Sequence, residues 1–160
     1  VRSRGLGDVY KRQDIHIKVV HFPIAFLTGY SLIELLYLIT QKEFFNKSAF
    51  LFLVIGVIGA LISVLSGNQA FELVKEWSDQ SREYFYNHQT YANITVWYFT
   101  ALLFIRLFLF QKKRLTKVIV FLFIIFSLLG NYFVFQTGYF GGKFAHHNVT
   151  ITTLDYRNEQ

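Results

Sequence analysis

Ala49–Ala70 reads A-F-L-F-L-V-I-G-V-I-G-A-L-I-S-V-L-S-G-N-Q-A, 22 residues without a charge. A bilayer core of about 30 Å takes about 20 residues of helix at 1.5 Å rise each. Three more stretches meet that length, Val19–Thr40, Tyr91–Phe110 and Lys117–Gly138. All four are apolar around the whole helix, where a soluble bundle would show one apolar stripe per helix. None has the polar entry and small-residue cleavage site of a signal peptide. The expected fold is all-α, an integral membrane four-helix bundle in contact with the lipid bilayer.

Composition points the same way. Hydrophobic residues make up 53% of the chain, aromatics 19% and charged residues 16%, outside the range of an ordinary soluble domain. Cysteine is absent, which excludes disulfides, iron–sulfur ligation and covalent c-type haem attachment. Methionine is absent too, so thioether ligands are excluded and the chain is expected to be a fragment or a processed product. Val1–Gln13, V-R-S-R-G-L-G-D-V-Y-K-R-Q, resembles translated sequencing adapter and is expected to be non-native. Residues 14–148 then form the membrane domain and 149–160 a C-terminal tail. Arg2, Arg4, Lys11 and Arg12 against Asp8 account for three of the six net positive charges, so the basic balance does not call for a nucleic-acid partner.

Lys and Arg near span ends set orientation. Two short loops hold Lys42, Lys47, Lys112, Lys113, Arg114 and Lys117. The other side, without Val1–Gln13, spreads Lys18, Lys75, Arg82, Lys143 and Arg157 over a greater length. The short loops are expected in the cytoplasm, with both termini and the Phe71–Asn87 loop on the external side. That loop is expected to be partly helical, with Ser78 or Asp79 capping the lead-in to the third span. The tail alternates weakly and reads as an extended arm. Gly56, Ala60, Ser63 and Gly67 share one face of the second span, and Ser127, Gly130, Asn131 and Gly138 one face of the fourth; small residues so spaced let helices approach closely. Asn131 needs a hydrogen-bond partner inside the bundle.

Chemistry gathers at one membrane face. His16 and His21 open the first span, His88 opens the third, and His146 and His147 follow the fourth. Polar motifs join them: H-F-P-I-A at His21–Ala25, S-G-N at Ser66–Asn68, N-H at Asn87–His88 and G-Y-F-G-G-K at Gly138–Lys143. Pro23 reads as an N-terminal helix residue, and Gly138, Gly141 and Gly142 as a helix end and turn.

The H-F-P-I-A opening, the small residue closing the second span, the His opening the third and the G-Y-x-G-G motif with a trailing His resemble the bacterial four-helix membrane family called domain of unknown function 2231. The likeness covers roughly His16 to Thr150. It departs at Ile17, where Pro is common, and at H-H-N-V-T, where a His followed by Gly is usual. The resemblance implies a multi-pass protein of the bacterial inner (cytoplasmic) membrane. It carries no activity, although members occur beside or fused to Rieske or cytochrome domains, which suggests a redox protein as partner.

A b-type haem site needs two neutral imidazoles from different helices and small residues beside them. His21 and His88 lie at similar depth, and Ser63 and Gly67 offer the space. The same imidazoles, with His147, suit a non-haem metal. The structural alternative is interfacial rings, with His21 merely capping a helix start. Deep in the spans, Glu34 and Arg106 lie at similar distances from the outer face. They either pair or snorkel separately to the inner interface. No Walker loop, dinucleotide fingerprint, G-x-S-x-G or H-E-x-x-H occurs, so hydrolase and nucleotide-driven pump are unsupported and an enzyme is not the leading expectation. The expected function is a redox-associated membrane protein holding b-type haem at its periplasmic face. The alternatives are a non-enzymatic membrane subunit or scaffold that binds a partner protein, and a small metal- or proton-handling membrane protein.

Overall fold

The computed structural model describes the backbone of residues 3–71, 78–112 and 114–158, and the side chains of residues 16, 18–68, 78–112 and 114–146. The described residues form four helices, α1 (Ser3–Thr40), α2 (Glu43–Phe71), α3 (Asp79–Gln111) and α4 (Lys117–Asn158). Each contains a stretch long and apolar enough to cross a membrane, at Lys18–Thr40, Glu43–Asn68, Asp79–Gln111 and Lys117–His146. Only 28% to 33% of each apolar window is buried inside the protein. Trp97, Phe44 and Ile39 are at least 70% exposed, which suits lipid and not water.

The helices form a ring in chain order: α1 and α3 each pack on α2 and α4, and the two hairpins α1–α2 and α3–α4 are the closest pairs. Inward positions recur at steps of three, four or seven. On α1 they are His16, Val20, Pro23, Leu27, Tyr30 and Glu34; on α3 they are Phe85, His88, Thr95, Phe99, Leu102 and Arg106. That spacing keeps one seam of each helix facing its neighbours along the bundle. Leu27, Tyr30, Leu53 and Phe99 fill the centre. Small residues set the approach of α2 to α1: a β-carbon on Gly56 would fall 2.5 Å from Leu27 Cδ2. Gly130 does the same for α4, its β-carbon meeting Phe99 Cζ at 2.5 Å. Asn131 Nδ2 donates to Ser31 Oγ at 2.9 Å, tying α4 to α1 where lipid offers no partner.

The α1–α2 link is only Gln41–Lys42. Gln41 adopts a positive φ of 54°, the left-handed conformation that commonly ends helices. Its amide Nε2 donates to the carbonyls of Leu38 at 2.7 Å and Tyr37 at 3.2 Å, covering acceptors that a helix end leaves open. Ser78 caps α3, its hydroxyl accepting from the Ser81 N–H at 3.1 Å.

Three expectations about the elements are corrected. Pro23 is not at a helix start; it lies inside α1. It denies a donor to the Val19 carbonyl four residues back, a cost that membrane helices tolerate through neighbouring groups. The Gly59 backbone lies against its ring, since a β-carbon on Gly59 would be 3.3 Å from Pro23 Cδ. Gly138, Gly141 and Gly142 end nothing: α4 runs through them, and no described glycine has a positive φ. The tail is helical to Asn158 and not an extended arm; at about 1.5 Å per residue a 42-residue helix outruns any bilayer core. The expected helical lead-in to the third span is present: α3 starts at Asp79, twelve residues before Tyr91, and Ser78 caps it. The loop expectations at Ala70–Trp77 fall on side chains outside the described residues.

Candidate metal centre

One end of the bundle carries the termini, and there the seams of α1 and α3 present a histidine each. His16 and His88 have ring centroids 6.2 Å apart and planes at 87°. Neither helix backbone approaches the other diagonally across the ring, so the two side chains meet near the bundle axis.

Their hydrogen bonds decide the tautomers. His16 Nδ1 lies 2.9 Å from Ser66 Oγ. The Ser66 hydroxyl hydrogen is already committed to the Ser63 carbonyl at 2.9 Å, so Ser66 accepts and His16 Nδ1 donates. His88 Nδ1 lies 2.9 Å from the Thr137 carbonyl, which can only accept. Assigned from this network, both neutral rings carry their hydrogen on Nδ1 and leave the Nε2 lone pair unprotonated. Histidines that ligate metals are held this way, one ring nitrogen donating to the protein and the other presented to the ion. Burial holds the His16 imidazole below its ordinary protonation range; a charge on His88 adds to the shift, and the Ser63 backbone opposes it.

Glycines seat both rings. A β-carbon on Gly67 would be 3.0 Å from His16 Cε1, and one on Gly141 would be 2.9 Å from His88 Nδ1. Ser63 lies below them, buried, its hydroxyl donating to the Gly59 carbonyl at 2.8 Å.

Of the residues singled out from the sequence, His88, Ser63 and Gly67 come together here, and Gly141 joins them. His21 is exposed; the ring set against His88 is His16. Five residues at about 100° each put His21 some 140° round α1 from His16, so one helix cannot turn both inward. The His147 side chain lies outside the described residues. Gly138 and Gly142 face open space, with nothing within 4 Å of an added β-carbon. Glu34 and Arg106 meet at the other end: Arg106 Nη1 donates to Glu34 Oε1, with Glu34 at 0% and Arg106 at 1% exposure. Ser66, Thr137 and Asn46 were not singled out as site residues. Ser66 opens the S-G-N motif and sits one turn from Ser63, whereas Thr137 lacks a distinctive motif but sits one turn from Gly141.

The family described as "Predicted membrane protein (DUF2231)" matches residues 12–153, nearly the whole chain and every residue of the histidine site. The chain belongs to this family. Its membrane character agrees with the four apolar helices, and the matched stretch includes both the His16–His88 pair and the Glu34–Arg106 pair. No curated protein and no solved structure matches the chain.

Proposed function

We propose that this protein is redox-associated and holds b-type haem iron between His16 and His88, at the periplasmic face of a bacterial inner membrane. The observation that carries the reading is the pair itself: two imidazoles from different helices, 6.2 Å between centroids, each with Nδ1 engaged by the protein. Two metal–nitrogen bonds of about 2 Å plus the half-widths of two rings would span about 6 Å, so His16 and His88 are the residues that would hold the iron. Ligand count also supports haem over a bare zinc ion. Structural zinc takes four protein ligands, and no cluster of three or more His, Cys, Asp or Glu is found among the described residues. Haem iron asks the protein only for axial ligands.

The bound group would supply one-electron chemistry. The chain's own part is to fix the imidazole tautomers through Ser66 and Thr137, to keep both rings neutral, and to hold them at one end of the bundle, where a redox partner has access. The positive charge of the two short loops supports an external position for that end.

The test is absorbance of protein purified from haem-replete cells. The expected result is a Soret band that His16→Ala and His88→Ala each abolish and His21→Ala leaves in place. A colourless wild-type protein overturns the haem reading and leaves a partner-binding membrane subunit as the better account. Loss of the band in His21→Ala with retention in His16→Ala would return the ligand role to His21.

A further inference from the structure

The other end of the bundle holds a second buried site. Glu34 is wholly buried on α1, one turn from Tyr30, which is also wholly buried. Glu34 Oε1 accepts from Arg106. Glu34 Oε2 and the Tyr30 hydroxyl have no hydrogen-bond partner. In a hydrocarbon environment, a carboxylate oxygen without a partner is costly unless water or a proton satisfies it. Both oxygens are therefore open to a water, and Glu34 Oε2 to a proton.

Arg106 does not depend on Glu34 alone. Its Nη2 donates to Asn46 Oδ1 at 3.0 Å, and its Cζ lies 5.7 Å from the Tyr30 ring centre and 5.4 Å from that of Phe123 on α4. If Glu34 were neutralised, the guanidinium would keep an amide oxygen and two aromatic faces. Asn46 Nδ2 in turn donates to Glu43 Oε1 at 3.0 Å. Glu43 and Asn46 line a cavity of about 430 Å³ together with Tyr37, Phe110, Gln111 and Leu115, and Glu43 and Gln111 are solvent-exposed at the short-loop end. A hydrogen-bonded chain therefore runs without a break from Glu34 through Arg106 and Asn46 to Glu43 on the cavity wall.

We propose that Glu34 is a proton-binding site inside the bundle, reached by water from this short-loop cavity. A hydronium ion in the cavity water gives up a proton to Glu34 Oε2: its O–H bond breaks, the carboxyl O–H bond forms, and a water is left behind. The pair passes from neutral to one positive charge, and no electron moves. The titratable groups that face it are Tyr30 and Tyr37 from α1, Glu43 from α2 and Arg106 from α3; α4 contributes the Phe123 ring. Ionisable residues within membrane spans mark proton relays in this way. The proposal shares no residue with the histidine site and does not rest on the haem reading.

The experiment is infrared difference spectroscopy of the full chain in lipid vesicles, following the protonated-carboxyl stretch against pH and after transfer to D2O. The expected result is a carboxyl band that titrates, is absent in Glu34→Gln, and shifts promptly in D2O. Leu115→Trp fills the cavity and replaces neither charged partner, and it should slow the D2O shift by about tenfold or more, a barrier increase of about 1.4 kcal/mol. Should Glu34→Gln fail to fold, Glu34→Asp keeps the carboxyl and should move the band. No titrating band, a band unmoved by Glu34→Asp, or an exchange rate unchanged in Leu115→Trp overturns the proposal.

Discussion

Gly141 on α4 lies so close to His88 on α3 that a β-carbon there would come within 2.9 Å of the ring nitrogen that binds the Thr137 carbonyl. Gly141→Ala must push the imidazole off that bond or move α4 back. The expected cost is about 1–3 kcal/mol, as for overpacked cores. Gly142→Ala next door meets open space and should be neutral or slightly stabilising, since alanine is favoured over glycine in helices by up to about 1 kcal/mol. Thermal unfolding in detergent distinguishes them; equal effects would show that the glycine does not seat the ring.

The Glu34–Arg106 pair should behave as one unit. Breaking a buried pair by removing one partner costs about 3–5 kcal/mol, while replacing both with apolar residues is often neutral or stabilising. Glu34→Leu and Arg106→Leu should each destabilise strongly, and the double variant should recover much of the loss. A double-mutant cycle on thermal stability measures the coupling. Additive effects would mean that the two charges do not depend on one another.

Acidification should weaken the haem-free protein through His16. Its folded protonation range lies below the ordinary value near 6.5, chiefly because of burial. The unfolded chain therefore takes up the proton first as pH falls, and stability present above about pH 6.5 is lost progressively below it. His16→Gln should flatten part of this slope in melting temperature against pH. An unchanged slope would place the loss elsewhere.

Topology is open to a direct check. Reporter fusions at Lys47 and Lys113 should read as cytoplasmic, since the two short loops carry the densest positive charge. Periplasmic readings at both would turn the histidine end inward and move the cavity at Tyr37 and Asn46 to the outside.

The four spans were legible because an uncharged run such as Ala49–Ala70 has few other uses. The inward faces were harder to read. In lipid both sides of a helix are apolar, so hydrophobic periodicity loses its contrast, and the seam shows instead as a spacing of small and polar residues. Stepping back from Glu34 and Leu27 by threes and fours reaches Pro23, Val20 and then His16, a count that selects His16 over His21 without coordinates. The Gly138–Gly142 cluster misled for a related reason. In water three glycines so close together mark a turn, whereas here Gly141 leaves room for a ring and the helix continues. Asn46 gave no warning: its role depends on the two-residue link at Gln41–Lys42, which folds the start of α2 under Tyr37.

Seventy-two residues separate Glu34 from Arg106. At a synthesis rate of about 5–20 residues per second, the carboxylate leaves the ribosome roughly 4–14 s before its partner. The first hairpin therefore meets the bilayer carrying an acid whose unpaired charge costs at least about 2.5–3.5 kcal/mol there. It must enter with that acid neutral, or wait at the insertion machinery until α3 is made. Biogenesis of this chain is thus tied to the order in which its helices are translated, and a circular permutant beginning at α3 would leave Arg106, which cannot shed its charge, as the group that waits.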